Sequence, residues 1–470
     1  MTKVHFIGIG GTGLSAIARV LLESGFQVTG SDRALSLLAA EIQKAGATVH
    51  IGHAAENVAG ADWVVRSSAV PDDNPEVRAA LAAGIPVYKR ADFIGQMMEG
   101  KTGIAIAGTH GKTTTTAMIT WLLHALGQDP TFIVGGVLSN LHVNAHAGKG
   151  NAFVIEADEY DRMFLGLKPK FGVVTNIEHD HPDCYPTPAE FRAAFIDFSH
   201  LIPANGALVA CGDDMGAIEL MEEARLNHIR TIGYRITDDG RSGQEEETLA
   251  YNVARNTLGG FSFNTAVYLD DVHHHLSGIQ LQVPGLHNVR NALAALTVIG
   301  LMGLNLKDAA HALGDFTGTG RRFELCGQAD GVTIIDDYAH HPTEIRATLA
   351  AARARYPHSR IWAAWQPHTY SRAQTLFDEF VLSFPDADEV IVSEIYAARE
   401  PKQDFSGAGI VKAMSHRSAH FIPTLDGIRD HLLQNLRPGD VLLVLSAGDA
   451  DRVSAEVLAG LKEREGHHGK

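Results

Sequence analysis

Cysteine is scarce in this chain, with three in 470 residues: Cys184, Cys211 and Cys326. They share no CxxC spacing and make no disulfide framework, so a reducing, cytoplasmic setting is expected. Long apolar runs are missing as well. None approaches the ~18 residues of a membrane-spanning helix, and Met1–Gly13 reads as a strand and a glycine turn rather than a secretory leader. No membrane partner is expected. Positive charge is in deficit, 39 Lys plus Arg against 55 Asp plus Glu, for a net −16. Duplex nucleic acid is bound mainly by cations on its phosphates, so no nucleic-acid partner is expected either. Anionic ligands must be held by local positive charge, helix N-termini or metal ions.

What is present is rhythm. Apolar runs of strand length alternate with helical patterns almost from end to end. Val4–Ile9 reads as a buried strand, followed by a glycine turn, a helix over Leu14–Glu23 that stops at Gly25, and a strand at Phe26–Thr29. The rhythm restarts at Gly103–Ala107 with a helix over Lys112–Leu126. It restarts again at Val332–Ile335, with a helix over Thr343–Arg355 and a strand at Arg360–Trp365. Alternating β and α predicts an α/β fold with parallel sheets covered on both faces. At ~100–200 residues per domain the three starts predict three domains, taken as 1–100, 101–318 and 319–470. Asp238–Glu247, polar and charged, reads as an exposed loop.

Two glycine loops each join a strand to a helix. The first, Gly8-Ile9-Gly10-Gly11-Thr12-Gly13, satisfies GxGxxG, and Asp32 follows after the second strand. Glycines let the backbone approach a pyrophosphate, and the helix N-terminus adds N–H donors. NAD with Asp32 on a ribose is one reading, and a tight β–α turn is another. A UDP-sugar also carries a pyrophosphate and a ribose, and the loop does not choose among them. The second loop, Gly108-Thr109-His110-Gly111-Lys112-Thr113, is GxxGKT; Ile106 stands where a full Walker A motif has Gly. Its mechanics predict ATP: N–H groups cradle phosphates, Lys112 reaches the β/γ oxygens, and the Thr113 hydroxyl meets Mg²⁺.

Acids then collect at strand ends. Phe153–Ile155 runs into Glu156-Ala157-Asp158-Glu159, where Glu156 is the leading Mg²⁺ ligand. Phe171–Thr175 runs into Glu178, His179, Asp180, His181 and Asp183, a candidate second cation site. Arg321-Arg322 follows a Gly-rich stretch and reads as a phosphate clamp at a domain joint. His340-His341-Pro342 lies at a strand-to-helix mouth, and Gln366–Arg372 ends the following strand in the same place.

These residues resemble the Mur ligases of bacterial peptidoglycan synthesis. The carriers are GIGGTGLSAIA with GSD at 30–32, SSAV at 67–70, GTHGKTTT at 108–115, EADEYD at 156–161 and TNIEHDHPDCY at 175–185. GLHNVRNALAA at 285–295, GTGRRFE at 318–324, DDYAHHPTEI at 336–345 and QPHTYSR at 366–372 complete them, in family order. The resemblance implies a Rossmann-like UDP-sugar domain, a central P-loop ATPase domain, and a C-terminal Rossmann-like domain that closes over ATP and binds the amino acid. It implies that Gly8, Gly10, Gly11, Gly13, Ser31, Asp32, Ser67 and Ser68 hold the UDP-sugar. Gly108, Thr109, Gly111, Lys112, Thr113, Thr114, His287, Asn288, Asn291, Arg322 and Asp337 would serve ATP. Thr113, Glu156 and His181 would hold Mg²⁺, with Mn²⁺ as a substitute. Lys112, His341 and Arg372 would be catalytic, the last two facing the sugar carboxylate and the incoming amine. UDP-N-acetylmuramate and L-alanine are the implied substrates, a tripeptide being the alternative acceptor, in a monomer or homodimer.

Overall fold

The computed structural model describes residues 1–468; residues 469–470 of the third expected domain lie outside the described residues. Lys3–Ile7 forms the middle of a five-stranded parallel sheet in the order Thr48–Ile51, Gln27–Asp32, Lys3–Ile7, Trp63–Arg66, Val87–Lys89. The helix Thr12–Glu23 packs on it through Leu14, Ile17, Ala18 and Leu21, the i, i+3, i+4, i+7 stripe of a half-buried helix. Strand order reverses at Lys3–Ile7, so the crevice beyond its carboxyl end is the expected ligand position. The loops that meet there carry Gly8–Gly13 and Ser67–Ser68.

A second sheet has ten strands, with Thr102–Ala107 between Phe171–Val174 and Ala152–Glu156. This is again a point where the order reverses, and the second glycine loop leaves it. Ile106 is fully buried inside that strand, paired with Val173 and Glu156. The turn therefore starts only at Gly108, which explains the missing Walker A glycine. The third sheet has six strands in the order Glu324–Ala329, Val332–Asp337, Val441–Leu445, Ile361–Trp365, Glu389–Val392, Ala419–Phe421.

The sheets are not purely parallel, which corrects the rhythm-based expectation. Glu247–Arg255, Phe261–Leu269 and Val272–Gln280 form an antiparallel meander on the central sheet, and Glu324–Ala329 pairs antiparallel in the third. Glu247, read as the end of an exposed loop, is the buried first residue of a strand, 2.6 Å from Arg235.

Core packing divides the molecule unequally. One apolar cluster runs from Phe6, Phe93 and Met98 through Ile104 and Val173 to Phe316, welding the first two sheets together. The third sheet has its own clusters on its two faces, one around Trp365 and Ile345, the other around Trp362 and Leu432. Polar side-chain contacts tie the third unit to the second glycine loop and to the segment after Phe171–Val174: His110 to Glu344, Thr343 to Glu178, Arg372 to Asp180. Among the described residues no helix is long and apolar enough to cross a membrane.

Candidate active site

The second glycine loop is built by two left-handed residues, Gly108 with φ +129° and Gly111 with φ +83°. A Cβ on Gly108 would stand 2.0 Å from Thr175 Oγ1, so the neighbouring strand end leaves room for no side chain. Helix Lys112–Ala125 starts here and buries Thr113 through Thr116. Lys112 Nζ donates to the carbonyls of Gly108 at 2.6 Å and Thr109 at 3.2 Å and to Glu159 Oε1 at 2.9 Å. Burial alone would lower its pKa, but Glu159, Asp158 and Glu156 outweigh it and hold the ammonium above its ordinary value.

Glu156 and Glu159 take different neighbours. Glu156 accepts the Gly135 N–H at 2.6 Å. Burial raises its pKa, while Gly135, Thr113 and Lys112 pull the other way. Glu159 is fully buried between Lys112 and His181 Nε2, 3.5 Å away, and its Oε2 has no hydrogen-bond partner. Burial would raise its pKa, but Lys112 and His181 lower it. His181 lies at φ +55° beside Asp180; burial would lower its pKa, yet Asp180 and Glu159 raise it. Glu159 thus joins Lys112 to His181, while Glu156 meets Thr113 and Gly135. The hydroxyl, carboxylate and imidazole donors, together with the unpartnered buried oxygen of Glu159, suit a hard divalent cation.

The acids and histidines after Phe171–Val174 do not converge on one cation, which corrects that expectation. His179 Nε2 meets the Tyr185 carbonyl at 2.8 Å, and Asp183 accepts the Tyr160 hydroxyl at 3.0 Å. Asp180 takes Arg372 through two bonds, of 2.8 and 3.1 Å, both side chains being 4% exposed. Glu178 accepts His110 Nε2 at 3.0 Å and Thr343 Oγ1 at 2.7 Å.

A cavity of about 690 Å³, within the range of small-molecule sites, opens beside the loop; Gly111, Thr114, His287, Asn288, Asn291, Arg322 and Asp337 line part of it. Gly285, at φ +94°, starts helix Leu286–Leu301 here, and Asn288 and Asn291 are buried and bonded to each other at 3.0 Å. Burial pushes His287 down to about 4, leaving a neutral imidazole on the wall. The paired arginines diverge. Arg321 turns to Asp336 and the Ser446 carbonyl, whereas Arg322 faces the cavity against Glu344 at 3.4 Å. Asp337 is pushed up to about 6 by burial and accepts the N–H groups of Phe323 and Ala339, fixing the Arg322 turn.

At the first glycine loop, Gly8 and Ile9 donate to the Ser31 carbonyl, and Gly10 donates to Asp32 Oδ2 at 2.8 Å. Ser67 lies against Gly8, and Ser68 is exposed beside it. The Ser31 hydroxyl turns away from the loop its carbonyl meets: it is buried, donates to Glu76 at 2.5 Å and meets His53 at 3.0 Å. Arg90 packs over Gly13 and reaches Asp158 at 3.3 Å, so one side chain links the first glycine loop to the acids that follow Ala152–Glu156. His341 is fully buried at the start of helix Pro342–Arg355, where Nδ1 accepts the Thr343 N–H at 3.3 Å. Burial pushes it down to about 4, aided by His110. Sequence reasoning gave no role to His110, Glu344, Arg90 or Arg399, the last stacked 4.4 Å over Tyr160. Charge at strand and helix ends was the available signal for the first two. Nothing local marks the others, whose partners are distant in sequence.

The whole chain is similar to known proteins. Residues 3–102 match the Mur ligase family catalytic domain, 106–299 the Mur ligase middle domain, and 321–448 the Mur ligase glutamate ligase domain. The chain belongs to the Mur ligase family. It is 42% identical to a protein named UDP-N-acetylmuramate–L-alanine ligase from Salinibacter ruber, over 99% of this chain and 96% of that one. Among solved structures it resembles the UDP-N-acetylmuramate–alanine ligase of Thermotoga maritima, with TM-score 0.79, 27% identity, and 99% and 100% of the two chains covered. A murein peptide ligase from Psychrobacter arcticus aligns with TM-score 0.69 and 25% identity, over 98% and 99% of the chains.

Proposed function

We propose that this protein is an ATP-dependent amide ligase that joins L-alanine to the lactyl carboxylate of UDP-N-acetylmuramate in peptidoglycan precursor synthesis. The single observation carrying this is the link between the two loops: Arg90, packed over Gly13 of the diphosphate-type loop, reaches Asp158, next to the Glu159 that holds Lys112 of the ATP-type loop. In this reading residues 1–100 hold the UDP-sugar, 101–318 hold ATP, and 319–470 close over both. The full-length likeness to L-alanine ligases supports the amino acid over the tripeptide as acceptor.

A carboxylate is a poor acyl donor at neutral pH. Transfer of the γ-phosphoryl group of ATP onto the lactyl carboxylate gives an acyl phosphate with a good leaving group. The alanine amine then attacks, and ADP, phosphate and the amide leave. Two anions must first meet, and Lys112 and Arg322 lower that repulsion by exchanging Gly108, Thr109 and Glu344 for phosphate oxygens. Thr113, Glu156 and His181 would hold Mg²⁺, which when bound supplies further charge neutralisation. His341, buried and with its pKa pushed down to about 4, is a neutral imidazole and a weak base for the amine proton. Docking of the third unit shields the acyl phosphate from water.

Carboxylate-¹⁸O-labelled UDP-N-acetylmuramate tests the chemistry. With L-alanine and ATP, label is expected in inorganic phosphate; amide formed without labelled phosphate refutes the acyl-phosphate route. Phosphate release with L-alanine, glycine, L-serine and the tripeptide offered separately tests the acceptor.

A further inference from the structure

His110, Glu178 and His341 offer three ligand atoms that all lie within 4.8 Å of one another, the one such group of His, Cys, Asp and Glu found among the described residues. Two belong to the central unit and the third to the C-terminal unit. The distances are uneven: Glu178 Oε2 is 3.0 Å from His110 Nε2 and 3.9 Å from His341 Nδ1, and the two rings are 4.6 Å apart. A four-coordinate ion with ligands at ~2.0–2.2 Å needs only small side-chain adjustments from there.

Three further features point to an ion. His110 presents its other nitrogen, Nδ1, to Glu344 Oε1 at 3.3 Å, the carboxylate–histidine arrangement that orients metal-bound imidazoles. Glu178 keeps its second oxygen on the Thr343 hydroxyl at 2.7 Å, which fixes the carboxylate. His341 is fully buried and turns Nδ1 towards Glu178, a nitrogen that otherwise accepts the Thr343 N–H at 3.3 Å.

We propose that His110, Glu178 and His341 form a transition-metal site of the Zn²⁺ class, separate from the hard-cation site at Thr113, Glu156 and His181. Two imidazoles and one carboxylate are the donor set of three-ligand zinc sites, whereas Mg²⁺ prefers oxygens. His110 and Glu178 line the nucleotide cavity, so the fourth position opens where a water or a phosphate oxygen fits. Binding replaces a proton: His110 between two carboxylates carries H⁺, and the metal takes its Nε2 while the proton is released to solvent. Because the ligands come from both units, the ion staples the third unit shut. Zn²⁺ therefore acts as an inhibitor of a cycle that must reopen to release product.

The test titrates the full-length protein with Co²⁺ in excess Mg²⁺ and follows the visible d–d absorption. One Co²⁺ per chain is expected, displaced by Zn²⁺, with proton release on binding. His341→Ala should weaken binding at least ~10-fold, and Glu344→Gln by about 10-fold through loss of the orienting carboxylate. His181→Ala should leave the band intact. Absence of a saturable band in the wild-type protein overturns the proposal. So does a band that survives His341→Ala and vanishes in His181→Ala, which assigns the ion to the Mg²⁺ site. The amide-ligase reading stands or falls separately, on labelled phosphate.

Discussion

Asp180→Ala removes the counter-charge of Arg372 in the most deeply buried contact between the central and third units. Both side chains are 4% exposed, and the pair is joined by two bonds of 2.8 and 3.1 Å. Burial would raise the Asp180 pKa, but Arg372 holds it well below the carboxylate range, so the pair is ionised at neutral pH. Removing one partner of such a pair costs about 3–5 kcal/mol, because the other charge stays desolvated. Arg372 retains only His368 as a neighbour in hydrogen-bond range. Each unit has its own apolar core, so the cost falls on docking and not on folding of either unit. At ~1.4 kcal/mol per tenfold, the ratio of docked to undocked third unit drops roughly a hundred- to several-thousand-fold. The assay is steady-state phosphate release, with a fluorescence-transfer pair placed across the two units. Expected are a large fall in kcat, a longer interunit distance, and a KM for the UDP-sugar within about twofold of wild type. In a double-mutant cycle with Arg372→Ala, the coupling energy should exceed ~1 kcal/mol. Additive single effects, or a UDP-sugar KM that rises in step with the loss of kcat, would refute the reasoning.

Lys112→Ala should abolish ATP-dependent amide formation while UDP-sugar affinity, measured by calorimetry, stays close to wild type. Gly108→Ala places a methyl 2.0 Å from Thr175 Oγ1 at φ +129°, so nucleotide affinity should fall by at least tenfold (~1.4 kcal/mol or more) in equilibrium dialysis. Glu76 is buried; burial would raise its pKa, but hydrogen bonds from His5, Ser31 and Asn57 bring it from 4.5 to about 2. Its lowered value means stability present above pH ~4.5 and lost as pH falls towards ~2, about 3 kcal/mol in all. Urea titrations of Glu76→Gln should lack that acid-side slope, and a wild-type slope in the variant would count against the assignment.

The parts of the fold that could be read from sequence are those where one face is buried along a continuous run. Val4, Phe6 and Ile7, or the 14, 17, 18, 21 stripe of the first helix, carry their period in themselves. The antiparallel meander was missed because its strands do not alternate cleanly. Val272–His275 is exposed throughout, and the hairpin turn between Phe261–Leu269 and Val272–Gln280 is Asp270-Asp271, both at positive φ (49° and 60°), in place of the usual Asn-Gly. At the site, glycine loops were visible because a backbone conformation demands them. For Ser31, spacing says that a residue lies near the end of a strand but not which way its hydroxyl turns. Here Glu76, 45 residues away, claims it.

The same distinction bears on how the residues of the proposed site are carried. Lys112, Glu159 and His181 lie on the welded pair of sheets, while Arg322, His341 and Arg372 ride on a unit held by ion pairs and hydrogen bonds. Apolar contacts would hold the third unit without regard to ligand or charge. Polar ones can be traded; in the proposed reaction Glu344 would yield Arg322 to a phosphate oxygen, and each such exchange would tie docking to what occupies the site. Replacing the Asp180–Arg372 pair by a well-packed apolar pair should therefore keep the third unit docked whether or not nucleotide is present, read as an interunit fluorescence-transfer distance that no longer changes when ATP is added.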